Sequence, residues 1–78
     1  MKPGIERNLG EQPIARLMAE RELRAHDLVA ASERPLTHKA VSRACKGRRL
    51  TPHTRDAVVA AFNRAADETL GRKDLFTY

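Results

Sequence analysis

The chain has 78 residues, which is enough for one domain with one modest hydrophobic core. It contains three aromatic residues and a single cysteine, so a β-sheet is disfavoured and an internal disulfide is excluded. The 15 basic and 10 acidic residues give a net charge of +5, and no apolar run is long enough for a membrane span. We therefore expect an all-α, soluble, intracellular protein whose partner is a polyanion.

Residues 1–12 contain Pro3 and two glycines and have no sustained hydrophobic period, which predicts a flexible N-terminal arm. Pro13 predicts the start of the first helix, because a proline has no N–H to leave unpaired in the first helical turn. The helix should end near Glu22 and carry an apolar stripe at positions i, i+3 and i+4. That stripe consists of Ile14, Leu17 and Met18.

A short second helix is predicted from residue 25 to residue 31, with Leu28 and Val29 facing the core. Pro35 then interrupts the pattern, because a proline disfavours helical geometry at the residue before it, here Arg34.

The third helix has the clearest start in the sequence. Thr37 is a good N-cap, and Leu36 and Val41 have the spacing of a hydrophobic staple. Gly47 is placed to end the helix in a left-handed conformation. The predicted inward residues are Val41, Ala44 and Cys45.

A fourth helix is predicted from the pair Thr51–Pro52 to about Asp67, which completes a domain over residues 13–68. Its inner stripe consists of Val58, Ala61, Phe62 and Ala65. The remaining tail, residues 69–78, contains four large apolar residues. These are Leu70, Leu75, Phe76 and Tyr78. They could form a dimer contact together with part of the fourth helix, or fold back on the core of their own chain.

The charge is concentrated in one part of the chain, residues 37–55. This window holds six lysines and arginines and no acidic residue, whereas the rest of the chain has nine basic residues against ten acidic ones. The predicted outward side of the third helix consists of His38, Lys39, Ser42, Arg43 and Lys46. Valine, alanine and cysteine on its other side are too small for a membrane-binding helix, whereas a helix of this kind fits the DNA major groove.

Two stretches resemble the Cro/repressor-type helix-turn-helix family, also called the XRE or lambda-repressor-like family. They are "LMAERELRAHDLVAA" and "LTHKAVSRACKGRRLTPHTRDAVVAAF", and the second also resembles the LacI-type headpiece. The matching positions are Leu17, Arg21, Leu23, Leu28, Val29, Leu36, Thr37, Val41, Ser42, Arg43, Gly47, Arg49 and Pro52. The resemblance implies a four- or five-helix lambda-repressor-like domain that binds double-stranded DNA sequence-specifically. It further implies a homodimeric transcription regulator, such as a repressor, that acts by site occupancy in the cytoplasm and nucleoid of a bacterium or phage-infected cell.

The resemblance also implies which side chains contact DNA. Base-edge contacts would come from His38, Lys39, Ser42 and Arg43. Phosphate contacts would come from Arg24, Thr37, Lys46, Arg48, Arg49 and Arg55. The chain departs from the family pattern in three places: Arg24 and Ala25 replace the usual serine and glutamine, the turn before Leu36 is about two residues longer, and Ala44 replaces a larger aliphatic residue.

Other chemistry is less well supported by the sequence. The three histidines lack the paired spacing of a zinc site, and Cys45 falls on an inward face, so we expect no metal, no cofactor and no enzymatic activity. His38 could also be a surface residue without a partner. The alternative function is a protein-interaction module, antitoxin-like or adaptor-like, built on the same helices. RNA binding is disfavoured because the deep A-form major groove excludes a helix.

Overall fold

The computed structural model describes residues 9–78, and within this range the protein is all-α, as predicted. The five helices of the described range are α1 (Pro13–Glu20), α2 (Ala25–Ala31), α3 (His38–Lys46), α4 (Pro52–Ala66) and α5 (Arg72–Leu75). Helix α2 packs against α3 and α4, whereas α1 packs against α3 and α5. Helix α3 also packs against α4, so it has three neighbouring helices.

The predicted helix ends agree with the observed ones, with one shift. Helix α1 ends at Glu20, two residues before the predicted boundary. Glu22 is left-handed with φ of 57°, and the N–H of Leu23 donates to the Met18 carbonyl oxygen over 2.8 Å. These are the features of a Schellman cap, which satisfies the last carbonyls of the helix and turns Leu23 toward the core.

The core contains apolar residues from all five helices. Its fully or almost fully buried members are Ile14, Met18, Leu28, Val41, Ala44, Ala57, Val58, Ala61, Phe62, Leu75 and Phe76. The predicted inward residues Leu17, Val29, Cys45 and Ala65 are partly buried at its edge. Phe62, which with Phe76 is one of the two largest buried side chains, belongs to the predicted stripe on α4.

The C-terminal segment, residues 69–78, folds back on the core. Leu75 and Phe76 are 0% and 2% exposed, so these two residues cannot form the predicted dimer contact. They are buried because α5 packs against both α1 and α4. The Asn63 side chain holds the segment in place through two 2.9 Å hydrogen bonds with the backbone of Leu70. Leu70 and Tyr78 are half-buried.

The predicted N-terminal arm falls mainly on residues 1–8, which lie outside the described residues. Of the predicted arm the structure describes residues 9–12, and these pack against the domain. The Gln12 side chain is buried and accepts hydrogen bonds from the backbone N–H and the hydroxyl of Thr77, over 2.7 and 3.0 Å. Its backbone N–H donates to the Cys45 carbonyl oxygen over 3.1 Å. Gln12 therefore connects the end of α3 to the C-terminal segment.

Candidate nucleic-acid interface

Helix α3 is fixed at both ends by the residues predicted to do so. The Thr37 hydroxyl accepts a 3.0 Å hydrogen bond from the N–H of Ala40, as an N-cap does. Gly47 ends the helix with φ of 85°. An added Cβ there would lie 1.8 Å from the carbonyl oxygen of Gly10, so both the backbone angle and the close approach require glycine. The start and the end of the helix are thereby both determined.

The two sides of α3 differ as predicted. Val41 and Ala44 are completely buried. The predicted base-edge residues and Lys46 are all exposed: His38, Lys39, Ser42, Arg43 and Lys46. The exposed residues form one continuous side of the nine-residue helix, and three of them are permanent cations, Lys39, Arg43 and Lys46. We call this surface, together with the exposed Arg48 and Arg49, the basic face.

His38 has a neighbour that the sequence did not indicate. Its ring lies near that of His26 on α2, with centroids 6.3 Å apart and an angle of 20° between the planes. Both histidines are exposed. Both readings of His38, a contact to DNA and a surface residue without a binding partner, stay predictions.

Two shallow depressions border the basic face. The first is lined by Thr37, Lys39, Ala40, Arg43, Arg49, Leu50, Thr51 and Thr54. The second is lined by Lys39, Ser42, Arg43, Lys46 and Arg48. Lys39 and Arg43 line both, so they form the ridge between the depressions. Most of the residues predicted for base edges and for phosphates thus lie on one continuous surface, namely Thr37, Lys39, Ser42, Arg43, Lys46, Arg48 and Arg49.

The first depression brings two helix starts together. Thr37 precedes α3, and Thr51 caps α4 by accepting a 3.2 Å hydrogen bond from the N–H of Thr54. The N-terminus of a helix carries a partial positive charge and N–H groups that favour anions. Two such ends therefore add to the field of the cations around them.

Two of the residues predicted to contact phosphates, Arg24 and Arg55, line neither depression. Arg24 is the exposed residue before α2, where its backbone N–H donates to the Asp27 carboxylate over 2.8 Å. Arg55 is half-buried, and its guanidinium carbon lies 5.1 Å from the centre of the Tyr78 ring. Arg49 lies 5.6 Å from the same ring.

Tyr78 is thus a contact of the basic face that sequence analysis missed. Its hydroxyl accepts a 3.0 Å hydrogen bond from the N–H of Leu50 and lies 3.4 Å from the Arg48 carbonyl oxygen, to which it donates. No local pattern could have indicated these contacts, because at least 23 positions separate Tyr78 from each residue it meets there.

Several cations elsewhere in the chain have carboxylate partners. Arg16 pairs with Glu20 over 3.7 Å, and Arg64 pairs with Glu33 over 3.1 Å. Arg21 forms a two-pronged pair with Glu68, whose hydrogen bond holds the pKa of Arg21 above its ordinary value. Lys39, Arg43 and Lys46, by contrast, form no ion pair within residues 9–78. Their charge is therefore available to a partner.

The remaining candidate chemistry is sparse. Residues 9–78 contain no group of three or more histidine, cysteine or acidic side chains that could hold a metal ion. Cys45 is half-buried at 3.7 Å from the Met18 sulfur, and burial raises the pKa of its thiol. Within the same range, no helix combines the length and apolarity needed to cross a membrane.

Comparisons with family models, with curated proteins and with solved structures find no match to this chain.

Proposed function

We propose that the protein is a sequence-specific, double-stranded DNA-binding protein in which α2 and α3 form a lambda-repressor-like helix-turn-helix. In this proposal α3 enters the major groove and the segment after it contacts phosphates. The observation that carries the proposal is the division of α3 into a buried apolar side and an exposed side whose cations have no acidic neighbours in residues 37–55.

The dimensions of the helix support this arrangement. An α-helix with its side chains is about 10–12 Å across, and the B-form major groove is about 12 Å wide. Lys39 and Arg43 stand one helical turn apart on the exposed side, and both residue types donate to the O6 and N7 atoms of guanine. Ser42 and His38 flank them and can contribute further base contacts. Together these residues would determine which bases are preferred.

The phosphate contacts would surround this helix. Thr37 lies at its start and Lys46 at its end, with Arg48 and Arg49 just beyond. Arg55 and the backbone N–H of His53, in the first turn of α4, would hold a neighbouring phosphate. Arg24 would act at the start of α2. Contacts of this kind position a protein on DNA without selecting a sequence.

The regulatory part of the proposal is site occupancy. A protein bound to its site on DNA can act by blocking access to that site, as a repressor does. A single recognition helix covers only a few base pairs, so we propose a homodimer on two half-sites about 34 Å apart. Since Leu75 and Phe76 are buried within the chain, the dimer contact would use other residues.

A titration of labelled random-sequence duplex at two salt concentrations tests the proposal. If five cations each neutralise one phosphate, raising salt from about 50 to about 200 mM should weaken binding on the order of 500-fold. Those cations are Arg24, Lys46, Arg48, Arg49 and Arg55. The matched control is double-stranded RNA of the same sequence, which should bind more weakly because its major groove excludes a helix. No measurable DNA binding at the lower salt would contradict the proposal and favour a protein partner.

A further inference from the structure

The ring of Tyr78 is surrounded by residues that the proposed function assigns to phosphate binding. The guanidinium carbons of Arg49 and Arg55 lie 5.6 and 5.1 Å from the ring centre. A guanidinium within about 6 Å of an aromatic ring centre is attracted by the negative face of the ring. One aromatic side chain thus contacts two cations that come from different segments, the loop after α3 and the first turn of α4.

The hydroxyl group of Tyr78 fixes the backbone of that loop. It accepts a 3.0 Å hydrogen bond from the N–H of Leu50 and donates to the Arg48 carbonyl oxygen at 3.4 Å. The N–H of Arg48 donates to the Arg43 carbonyl oxygen over 2.9 Å at the end of α3, and the Tyr78 hydroxyl adds its two contacts on either side of Arg49. Tyr78 therefore helps to fix the loop from which Arg48 and Arg49 project.

Tyr78 is itself held from the other side. Its ring packs edge-on against Phe76, with centroids 5.5 Å apart, and Phe76 is buried in the core. Arg72 of α5 donates to the main-chain oxygen of Tyr78 over 2.7 Å. Thr77 is hydrogen-bonded to the buried Gln12 side chain. The ring is thus anchored to the core and can hold a surface loop in one arrangement.

We propose that Tyr78 is a positioning residue for DNA binding, which holds Arg49, Arg55 and the loop between α3 and α4 in the arrangement that meets phosphates. This inference rests on the proposed function. Arginine side chains lose rotational freedom when they bind, and a contact that orders them beforehand lowers that cost. The C-terminal segment would thereby contribute to affinity without touching a base.

The test is a double-mutant cycle with DNA affinity as the readout. Tyr78→Leu should weaken binding to all duplexes alike, by about five- to tenfold, because two arginines and the loop lose their order. In a chain that carries both Arg49→Ala and Arg55→Ala, the same substitution should change affinity by less than about twofold, because residues that act through one another are not additive. Tyr78→Phe should recover only part of the lost affinity, because it keeps the ring beside the two arginines but loses the hydroxyl that contacts the loop.

A matched control separates positioning from folding. Leu75→Val shortens a completely buried side chain of the same segment and keeps both Tyr78 and Phe76, the ring against which Tyr78 packs. It should lower the midpoint of thermal unfolding and leave DNA affinity within about twofold at a temperature where the protein is folded. A loss of affinity from Leu75→Val equal to that from Tyr78→Leu would overturn the proposal.

The proposed function and this inference can fail separately. If the unaltered protein binds no duplex, both are wrong. If the unaltered protein binds, two results would show that only the positioning role is wrong. In the first, Tyr78→Leu has the same DNA affinity as the unaltered protein. In the second, Tyr78→Leu lowers DNA affinity by the same factor whether Arg49 and Arg55 are present or replaced by alanine. A measurement on the unaltered protein covers the case in which Tyr78→Leu does not fold. The side-chain protons of Arg49 and Arg55 should show ring-current shifts in its proton NMR spectrum that Arg48 lacks, and the absence of these shifts would overturn the proposal.

Discussion

The two sides of α3 have different roles, although they belong to one helix of nine residues. On the inner side, Val41 and Ala44 are 0% exposed and pack against other helices. On the outer side, every residue is exposed and the cations have no carboxylate partner in the described part of the chain. The inner side therefore determines whether the helix is held in place. The outer side can be changed at little cost in stability, which is the condition a binding surface needs.

A second difference separates the basic face from the cations elsewhere. Arg21 and Arg64 link distant parts of the chain through Glu68 and Glu33. Arg64 also donates to the Ala31 carbonyl oxygen over 2.9 Å, so it helps to hold the turn between α2 and α3. Arginines thus stabilise the fold where glutamates lie beside them, whereas Lys39, Arg43 and Lys46 form no ion pair in the described part of the chain and remain available.

The strongest test of the two sides introduces aspartate at two adjacent positions of α3, one on each side. Val41→Asp should lower the free energy of unfolding by about 3–5 kcal/mol, because it buries a charge without a partner. Ser42→Asp should change that free energy by less than about 0.5 kcal/mol, because the position is exposed, yet it should weaken DNA binding by placing a negative charge beside Lys39 and Arg43. Urea unfolding and duplex titration measure the two quantities. Equal destabilisation by both variants would contradict the division.

The end of α3 offers a second matched pair. Gly47 and Gly10 both have φ of 85°, but only at Gly47 would a Cβ collide with backbone, whereas nothing lies within 4 Å of one at Gly10. Gly10→Ala should therefore cost about 1–2 kcal/mol of unfolding free energy, from the left-handed conformation alone. Gly47→Ala should cost more than about 2 kcal/mol, because the backbone must also shift. Similar unfolding midpoints in urea would show that the close approach to Gly10 is not maintained.

Within the outer side, base and phosphate contacts should be separable. Arg43→Ala should relax the preference at one base position at a cost of about 1–3 kcal/mol, whereas Arg49→Ala should weaken binding to all sequences alike. Arg16→Ala is the control, because Arg16 is an exposed arginine on α1 that pairs with Glu20. It should leave affinity within about twofold. Selection of bound sites from a random duplex pool, followed by titration, measures these effects. Indistinguishable behaviour of Arg43→Ala and Arg49→Ala would refute the assignment.

The smallest expected effect is on the pH dependence of stability, through Cys45 at the edge of the inner side of α3. Burial raises the pKa of the Cys45 thiol above the ordinary value of 9.0, so the folded protein holds this proton more tightly than the unfolded chain does. The resulting stabilisation is fully present below pH 9.0 and is lost as the pH rises through the folded pKa. Unfolding free energies measured above that pH should fall more steeply for the unaltered protein than for Cys45→Ala. Parallel pH profiles would show that the thiol is solvated.

Sequence signals predicted the local features of this fold well, because they depend on neighbouring residues. Pro13, Thr37 and Gly47 fix helix ends by their own backbone chemistry, and spacing alone assigned the two sides of α3. The contacts made by Gln12 and Tyr78 could not be predicted in this way. Each joins segments far apart in the chain, and neither belongs to a periodic pattern.

The burial of the C-terminal segment could be predicted only in part. Its apolar residues indicated that it is not wholly solvated, and two outcomes remained open, a dimer contact or packing on its own core. Composition cannot decide between them, because both bury the same side chains. The packing of α5 against α1 and α4 decides it for Leu75 and Phe76. Leu70 and Tyr78 are only half-buried.

The most direct test of the central claim is a map of backbone amide chemical shifts as duplex DNA is added to the protein. The account predicts that the shifts change most for the exposed residues of α3 and for residues 47–55, and least for the exposed residues of α1. Changes concentrated on α1, or no change at low salt, would contradict a DNA-binding role for the basic face.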